Sequence, residues 1–286
     1  MTTSDSTSAP KEQSVHDVLD MKPLGDRKFL GPSVPSAFTR TFGGQVVAQA
    51  LRAAQLTVEG KRAHSLHSYF LEGGIAAQPI EFEVEHVRDG RTFSCRRVEG
   101  FQNGKRMMIM TVNFHHDQDR GPEHATAMPQ VPGPEEAIDH LEIRPRSAQK
   151  RKLDWMDWDI RAVEESKLTE EQLHPAGQGT HQYLWFKNTG VMGDDQDVHQ
   201  AALTYLSDMT LLYTALLDHP EQELQVASLD HAMWFLRPVR VDEWLLVDQY
   251  SPSAGGGVGL TKGNVFNQQG ELVAVLSQEG LMREPN

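Results

Sequence analysis

The sequence lacks several features that common protein classes require. It has one cysteine, Cys95, which excludes an internal disulfide framework and fits a reducing compartment. No run approaches the roughly 18 apolar residues of a transmembrane helix, and the N-terminal stretch is too polar for a signal peptide. Basic residues number 27 against 40 acidic ones, a net charge of −13, which argues against a broad nucleic-acid-binding surface. We therefore expect a cytoplasmic protein that binds no nucleic acid and has no membrane span.

Several familiar catalytic motifs are also missing. The sequence has no Gly-x-Ser-x-Gly elbow, Walker loop or His-Glu-x-x-His motif. The glycine-rich run 255–259 lacks the G-x-G-x-x-G spacing and precedes a predicted strand, so it is interpreted as a flexible turn or a ligand-contacting loop. His64 and His67 are three residues apart in a predicted strand and face opposite sides. A shared metal is therefore not expected.

The charge that is present is unevenly distributed. Residues 1–117 carry 14 Lys and Arg against 13 Asp and Glu, whereas the remainder carries 13 against 27. Six basic residues crowd together in the first part: Arg88, Arg91, Arg96, Arg97, Lys105 and Arg106. Such a cluster is either a solvated strand pair or a local binding site for a polyanionic ligand.

A proline-containing segment divides the chain into two similar parts. Pro122, Pro129, Pro132, Pro134 and Pro145 lie in this segment and predict a linker. We predict a tail and lead-in at 1–24, a first unit at 25–117, a linker at 118–156 and a second unit at 157–286. A length of 286 residues suffices for two such units with separate cores.

The two parts carry the same order of predicted elements. In the first part a helical run at 45–56 is followed by strand-like segments at 65–71, 81–87, 92–98 and 107–114, with the hairpin signal Asn103-Gly104 before the last. In the second part a helical run at 209–217 is followed by strand-like segments at 226–236, 243–250, 260–266 and 272–277, with a turn at 267–270 before the last. Phe82 and Val84 alternate with glutamates, as a half-buried strand requires. A shift of about 165 residues superposes Tyr69-Phe70-Leu71 on Trp234-Phe235-Leu236 and places Gly43 opposite Asp208. The second helical run, 209–217, is apolar around nearly its whole circumference, so it must be surrounded. These features predict an α+β fold, a double hotdog, in which two antiparallel sheets each wrap around a central helix.

Asp208 is the most informative single position. It interrupts the hydrophobic stretch 201–217, and the repeat places it at a helix start. An aspartate there is either an N-cap, accepting backbone N–H bonds, or an ionised group that can orient or deprotonate a water. The pattern alone leaves both interpretations open.

Motifs in both halves resemble one family, the type II (TesB-like) acyl-CoA thioesterases. The first half offers Phe42-Gly43-Gly44-Gln45, the segment 64–71 and Arg88-Asp89-Gly90-Arg91; the second offers Ser207-Asp208, the segment 229–235 and Gln278-Glu279-Gly280-Leu281. The resemblance covers roughly residues 25–118 and 157–284. It implies hydrolysis of a fatty acyl-CoA to a fatty acid and free CoA, with CoA as part of the substrate and with no metal or redox cofactor.

The resemblance also implies site residues. Its catalytic set corresponds to Asp208, Ser228 and Gln278, which together bind and activate a water. As weaker expectations, Gly44 supplies an N–H to the thioester carbonyl, and His64 has a secondary role because the water needs one base. Arg91 and Arg97, from the basic cluster, are candidates to meet the CoA phosphates. Hotdog proteins usually associate through their sheets, which predicts a homo-oligomer, a dimer or tetramer.

Two other functions stay open at this stage. A non-catalytic hotdog that binds or senses acyl-CoA would not require the Asp208, Ser228 and Gln278 set. A hotdog dehydratase would carry a His/Asp or His/Glu pair in a hydratase motif, and the sequence has none.

Overall fold

The structure, a computed structural model, describes residues 14–34, 36, 39–116, 121–140, 157–173 and 180–285. The predicted tail up to Gln13 and the predicted linker residues 118–120 and 141–156 lie outside this range. The helices are α1 (Val15–Leu19), α2 (Gly43–Gln55), α3 (Glu170–Leu173) and α4 (Gln196–Ser207), with 3-10 turns at Glu165–Lys167 and Leu212–Leu216. The strands are β1 (Lys22–Gly25), β2 (Lys28–Gly31), β3 (Arg62–Phe70), β4 (Ile80–Asp89), β5 (Phe93–Gln102), β6 (Lys105–His115), β7 (Ile138–Asp139), β8 (Trp158–Ala162), β9 (Thr180–Asn188), β10 (Gln225–Ser228), β11 (Asp230–Phe235), β12 (Leu245–Gly255), β13 (Val258–Phe266) and β14 (Leu272–Arg283).

All of these strands belong to one antiparallel sheet. Its order is β1-β2-β4-β5-β6-β3-β11-β14-β13-β12-β9-β8-β7, and β10 also pairs with β14. The two halves of the chain meet where β3 pairs with β11, with His67 opposite Ala232. These two residues are 165 positions apart, which is the shift found in the sequence. Each strand of the first half therefore has a counterpart at the same distance from the centre.

The predicted strands are confirmed with small changes at their ends. The Asn103-Gly104 turn between β5 and β6 has φ of 50° and 72°, as a type I′ hairpin requires. Gly256 and Gly257 also have positive φ and form the tight turn between β12 and β13. The sequence analysis missed β1, β2, β7, β8 and β9, which precede the long helices and form the outer parts of the sheet.

The helix predicted at 209–217 is wrong. The long helix of the second half is α4, N-capped by Asp195, and a 3-10 turn follows it at Leu212–Leu216. The apolar stretch continues past the helix end, because the turn after it is also buried, and the sequence therefore hides where the helix stops. Asp208 is the C-cap residue of α4, so the N-cap interpretation of Asp208 is also wrong.

The long helices α2 and α4 pack antiparallel in the core. At one end, the amide nitrogen Nε2 of Gln55 donates to the carbonyl of Asp197 at 3.1 Å. At the other end, the start of α2 contacts the last turn of α4, where the Phe42 and Tyr205 rings meet edge to face at 5.2 Å. The two helices bury most of their side chains in one core with the sheet. None of the helices in the described residues is long and apolar enough to cross a membrane.

Part of the predicted linker covers the opposite face of the sheet. Met128, Val131 and Ala137 pack on a second apolar cluster that includes Trp185. The Trp185 indole donates to the carbonyl of Pro132 at 2.9 Å. The segment therefore shields the outer face of β9 and β12.

Candidate active site

Three polar side chains meet at the start of α2. The Ser228 hydroxyl donates to Asp208 Oδ1 at 3.0 Å, and Gln278 Nε2 donates to the same carboxylate oxygen. Gln278 Nε2 also donates to Ser228 Oγ at 2.9 Å. The catalytic set expected from the sequence is thus one connected group, although its members are as many as 70 positions apart.

The glycine pair at the start of α2 allows the two helices to meet at this group. A Cβ on Gly43 would lie 2.6 Å from Asp208 Oδ2, and one on Gly44 would lie 2.4 Å from the carbonyl oxygen of Tyr205. The neighbour of Gly44 is backbone, so a side chain there is excluded, whereas at Gly43 a side chain would have to displace the Asp208 carboxylate. The backbone therefore approaches the carboxylate directly. Asp208 therefore sits between the C-terminus of α4 and the N-terminus of α2, and the positive end of the α2 dipole favours its charge.

Ser228 and Gln278 come from neighbouring strands. Ser228 ends β10 opposite Gly280 of β14, and Gln278 points inward from β14. Asp230 holds the break between β10 and β11, because its Oδ1 accepts the Glu279 N–H at 2.7 Å. This bond fixes the bend that follows Ser228.

Burial controls the charge of Asp208. Removal from water raises the pKa of its carboxyl from 3.8 to about 6, and hydrogen bonds from Gln278, Ser228 and the Gly44 N–H partly oppose the shift. The carboxylate is therefore ionised at pH 7 but is a stronger base than an exposed aspartate. A pKa close to the working pH is what general-base chemistry favours.

A pocket of about 500 Å³ opens onto this group. Its base includes Asp208 and Ser228, and its exposed rim includes Arg40 and Glu72. Most of the wall is apolar: Val46, Phe70, Leu71, Met107, Met209, Leu212, Tyr213 and Val226. An apolar pocket with a few convergent polar groups at its base is typical of a small-molecule site.

One acceptor in the site has no partner. Gln278 Oε1 is buried and makes no hydrogen bond within the described residues. A buried amide oxygen of this kind ordinarily has a donor. Gln278 does not line the pocket, so the donor for this oxygen would be an internal water.

Gly44 lies in the site, but its N–H points elsewhere than expected. It hydrogen-bonds the Asp208 carboxylate. In this structure the carboxylate takes this donor, which stabilises the ionised form of Asp208. Donation to the thioester carbonyl stays a prediction.

His64 lies outside the pocket. It is near the other end of β3, six residues before Phe70, a distance of about 20 Å along a strand. Its ring contacts Phe93 and His115, and burial lowers its pKa. The structure does not bring His64 to Asp208.

The basic cluster is dispersed. Arg96 is only 2% exposed and donates to Asp89 and to Thr57, so it is not available to a ligand. Arg97 is paired with Glu99 at 2.8 Å, and Arg91 lies in the exposed turn between β4 and β5. Neither Arg91 nor Arg97 lines the pocket.

The sequence analysis missed several residues of the site. Arg40 and Thr41 line the pocket, and the local signal was their position directly before Phe42-Gly43-Gly44. His231 was quoted only as part of a motif. It is fully buried, its pKa is lowered to about 4 by burial, and its Nε2 lies 2.8 Å from the hydroxyl of Ser207. This contact braces the end of α4 immediately before Asp208.

No group of three or more His, Cys, Asp or Glu side chains that could hold a metal occurs in the described part of the chain.

Two family models match the sequence. An acyl-CoA thioesterase model matches residues 150–281, and an acyl-CoA thioesterase N-terminal domain model matches residues 32–115. The chain is 36% identical over 275 residues to acyl-CoA thioesterase 2 of Haemophilus influenzae, covering 93% of this chain and 96% of that protein. It is 41% identical to the crystal structure of the acyl-CoA thioesterase II TesB2 of Mycobacterium marinum, with a TM-score of 0.82 and coverage of 95% and 98%.

A further solved structure bears on the fold alone. A hotdog-fold protein of Alicyclobacillus acidocaldarius matches with a TM-score of 0.77 at 22% identity, covering 95% of this chain and 98% of that one. The likeness, with the large antiparallel sheet, shows that the chain has a hotdog fold. From the identity and coverage above, the chain is a member of the type II acyl-CoA thioesterase family, and so a thioester hydrolase.

Proposed function

We propose that this chain hydrolyses fatty acyl-CoA with a water activated by Asp208, Ser228 and Gln278. The observation that carries the proposal is the connected hydrogen-bond group at the base of the apolar pocket. The family named above acts on acyl-CoA, and CoA enters here as part of the substrate. The proposal needs no metal or redox cofactor, because a carboxylate of raised pKa is sufficient to deprotonate a positioned water.

In the proposed mechanism Asp208 is the general base. The thioester carbonyl lies over the carboxylate with its acyl chain against the apolar wall, and a water stands between them. Asp208 takes one proton as the water oxygen attacks the carbonyl carbon, and the tetrahedral intermediate then expels the CoA thiolate. Ser228 and Gln278 hold the carboxylate and the water in line, which lowers the entropic cost of the attack.

This mechanism predicts a pH-dependent rate. Protonation of Asp208 removes the base, so kcat/KM should fall about tenfold per pH unit below a midpoint near 6 and be level above it. Substitution Gln278→Ala removes a hydrogen bond that favours the ionised form and should move the midpoint upward. Initial rates of thiol release between pH 4.5 and 8.5 measure both. A profile that is flat across pH 6 and down to pH 4.5 would contradict the raised pKa of Asp208.

We further propose that the chain contains two hotdog units, 25–117 and 157–286, each with a central helix, α2 or α4, joined by the linker 118–156. The mirrored strand order and the 165-residue shift support this division. The 165-residue shift makes Ala63 the counterpart of Ser228. In β14 the shift is 166, because Ser277 pairs with Ala232 as Thr111 pairs with His67, so the counterpart of Gln278 is Val112. Helix α2 ends in Leu56 where α4 ends in Asp208. None of these three side chains can bind or deprotonate a water, so we propose one catalytic site per chain.

We also propose a cytoplasmic homo-oligomer, a dimer or tetramer. Apolar side chains are exposed near the centre of the sheet, with Tyr69 58% and Trp234 36% exposed. Both lie on the β3–β11 pair, close to the centre of the strand order. Such a patch on an approximate two-fold axis suits an interface between identical copies.

The experiment that tests the proposed function is a thiol-release assay on the purified chain. Saturated acyl-CoA substrates from short to long chain are supplied, with free CoA and fatty acid measured together. Equal amounts of both products support the proposal. Tight binding of acyl-CoA without release of thiol would instead identify a sensor and overturn it.

A further inference from the structure

Among the residues that the structure describes, one cation lines the pocket, and the mechanism above does not use it. The charged side chains of this part of the wall are Arg40, Glu72 and Asp208. Asp208 is buried at the base, whereas Arg40 is exposed at the rim. The pocket therefore runs from a positive rim group to a buried carboxylate.

The backbone of Arg40 is fixed in place. Arg40 forms a β-bridge with Ile75, and the Thr41 N–H donates to the Gly74 carbonyl at 3.1 Å. The side chain of Arg40 then runs along Gly73, where a Cβ would lie 3.5–3.7 Å from its Cδ, Nε and Cζ atoms. Within the described residues the guanidinium has no ion pair or hydrogen bond, so its charge is available to a ligand.

A second polar group lies between the rim and the base. Thr41 Oγ1 is buried and has no hydrogen-bond partner in the described part of the chain. Thr41 also lines the pocket and stands between Arg40 and Phe42, next to the glycine pair that contacts Asp208. The oxygen itself faces Gly74 and has no surface open to the pocket, so Arg40 is the polar group of this segment that a ligand can reach.

We propose that Arg40 binds the diphosphate of CoA at the pocket rim. This inference rests on the proposed function, because it takes the thioester to lie at Asp208 with the pantetheine arm running outward to the rim. The pantetheine arm is uncharged, so the diphosphate is the first anionic group outward from the thioester. A guanidinium binds phosphate oxygens through two N–H groups at once. Glu72 on the same rim lies 3.9 Å from Lys105, which offsets its charge.

The test compares three thioesters of one fatty acid: with CoA, with dephospho-CoA, which lacks the 3′-phosphate, and with pantetheine, which lacks every phosphate. KM and kcat are measured for the native chain and for Arg40→Ala, Arg40→Lys and Arg40→Glu. Arg91→Ala and Arg97→Ala are matched controls, because each removes a basic side chain that does not line the pocket. Added salt provides a second readout, since an exposed charge interaction weakens with ionic strength.

We expect Arg40→Ala to raise KM for the CoA and dephospho-CoA thioesters roughly 10- to 100-fold, the size of a lost charge-assisted hydrogen bond. KM for the pantetheine thioester should not change, and kcat should change little for all three. Arg40→Lys should recover part of the loss, Arg40→Glu should exceed it, and both controls should match the native chain. The salt dependence of KM for the CoA thioester should be smaller in Arg40→Ala.

Three outcomes would overturn the inference. They are an unchanged KM for the CoA thioester in Arg40→Ala, an equal rise for the pantetheine thioester, or a rise for the CoA but not for the dephospho-CoA thioester, which would assign Arg40 to the 3′-phosphate. Failure of the proposed function is distinct, because the native chain would then hydrolyse none of the three.

Discussion

Replacing Asp208 by Asn should lower kcat for acyl-CoA hydrolysis roughly 10²- to 10⁴-fold, the usual contribution of a general base. Asn keeps the acceptor oxygen for Ser228 and Gln278 but cannot take a proton at neutral pH. KM should change little, because the pocket wall is unaltered. The measurement is steady-state thiol release at pH 8, where native Asp208 is fully ionised.

The matched control is Asp197→Asn. Asp197 is also a carboxylate of α4 whose pKa is raised, with burial as the main cause, but it lies in the first turn of the helix, far from the pocket. Its substitution should leave kcat unchanged. Full activity of Asp208→Asn, or an equal loss in both variants, would remove Asp208 from the mechanism.

Asp208→Asn should also stabilise the protein above pH 6. The folded state raises the carboxyl pKa from 3.8 to about 6, so ionisation favours the unfolded chain. The protonated carboxyl favours the folded state. This contribution to the unfolding free energy is fully present below pH 3.8 and is lost as the pH rises through 6. The difference between the folded and unfolded pKa values corresponds to ~3 kcal/mol of unfolding free energy at pH 8. Asp208→Asn removes the buried charge and should raise the unfolding free energy by this amount. Denaturant unfolding at pH 8 checks this, and a lower stability of Asp208→Asn there would contradict the assigned burial cost.

Replacing Gly43 by Ala should lower kcat about 10²-fold without unfolding the protein. The new Cβ would lie 2.6 Å from Asp208 Oδ2 and 3.2 Å from the tip of the Phe70 ring. The flexible carboxylate should move aside, and a displacement of about 1 Å at a reacting group costs on the order of 10²-fold in rate. Steady-state kcat and the unfolding midpoint are measured together. Gly255→Ala is the control, because a Cβ there meets nothing within 4 Å.

A double-mutant cycle separates this cause from general damage. If Gly43→Ala acts through Asp208, it should have little further effect on kcat in an Asp208→Ala background. An undiminished 10²-fold loss in that background would show that the glycine matters for another reason. An unchanged kcat in the single variant would show that the close contact is not required.

The sequence predicts the sheet better than the helices. Strand alternation in Phe82 and Val84, the Asn103-Gly104 turn and the Tyr69/Trp234 repeat all depend on local patterns, and the strands they predict are confirmed. Leu203, Leu206, Leu211 and Leu212 form one apolar stretch across the end of α4, so apolarity alone does not locate that end. The register error that placed Asp208 at a helix start follows from this.

The sequence indicated the candidate site residues that belong to recognisable motifs. It did not indicate residues, such as Arg40, that only the three-dimensional structure brings to the pocket. Asp208, Ser228 and Gln278 come from three elements that only the fold brings together, and family motifs made them visible before the contacts were known. Arg40 is a single basic residue on an irregular segment, and no sequence motif indicates that it lines a pocket. The basic cluster Arg88–Arg106 is conspicuous in the sequence. Its member Arg96, however, donates its hydrogen bonds to Thr57 and Asp89 inside the protein and is not available to a ligand.

The most direct test of the central claim, that Asp208 activates a water which attacks the thioester, is a single turnover in ¹⁸O-labelled water with enzyme in excess over acyl-CoA. Mass spectrometry of the fatty acid and of the peptide that contains Asp208 follows the label. Direct attack by water predicts one ¹⁸O atom in the fatty acid and none in the peptide. An unlabelled fatty acid together with ¹⁸O in the Asp208 peptide would mean that the carboxylate itself forms an acyl intermediate, and would contradict the account.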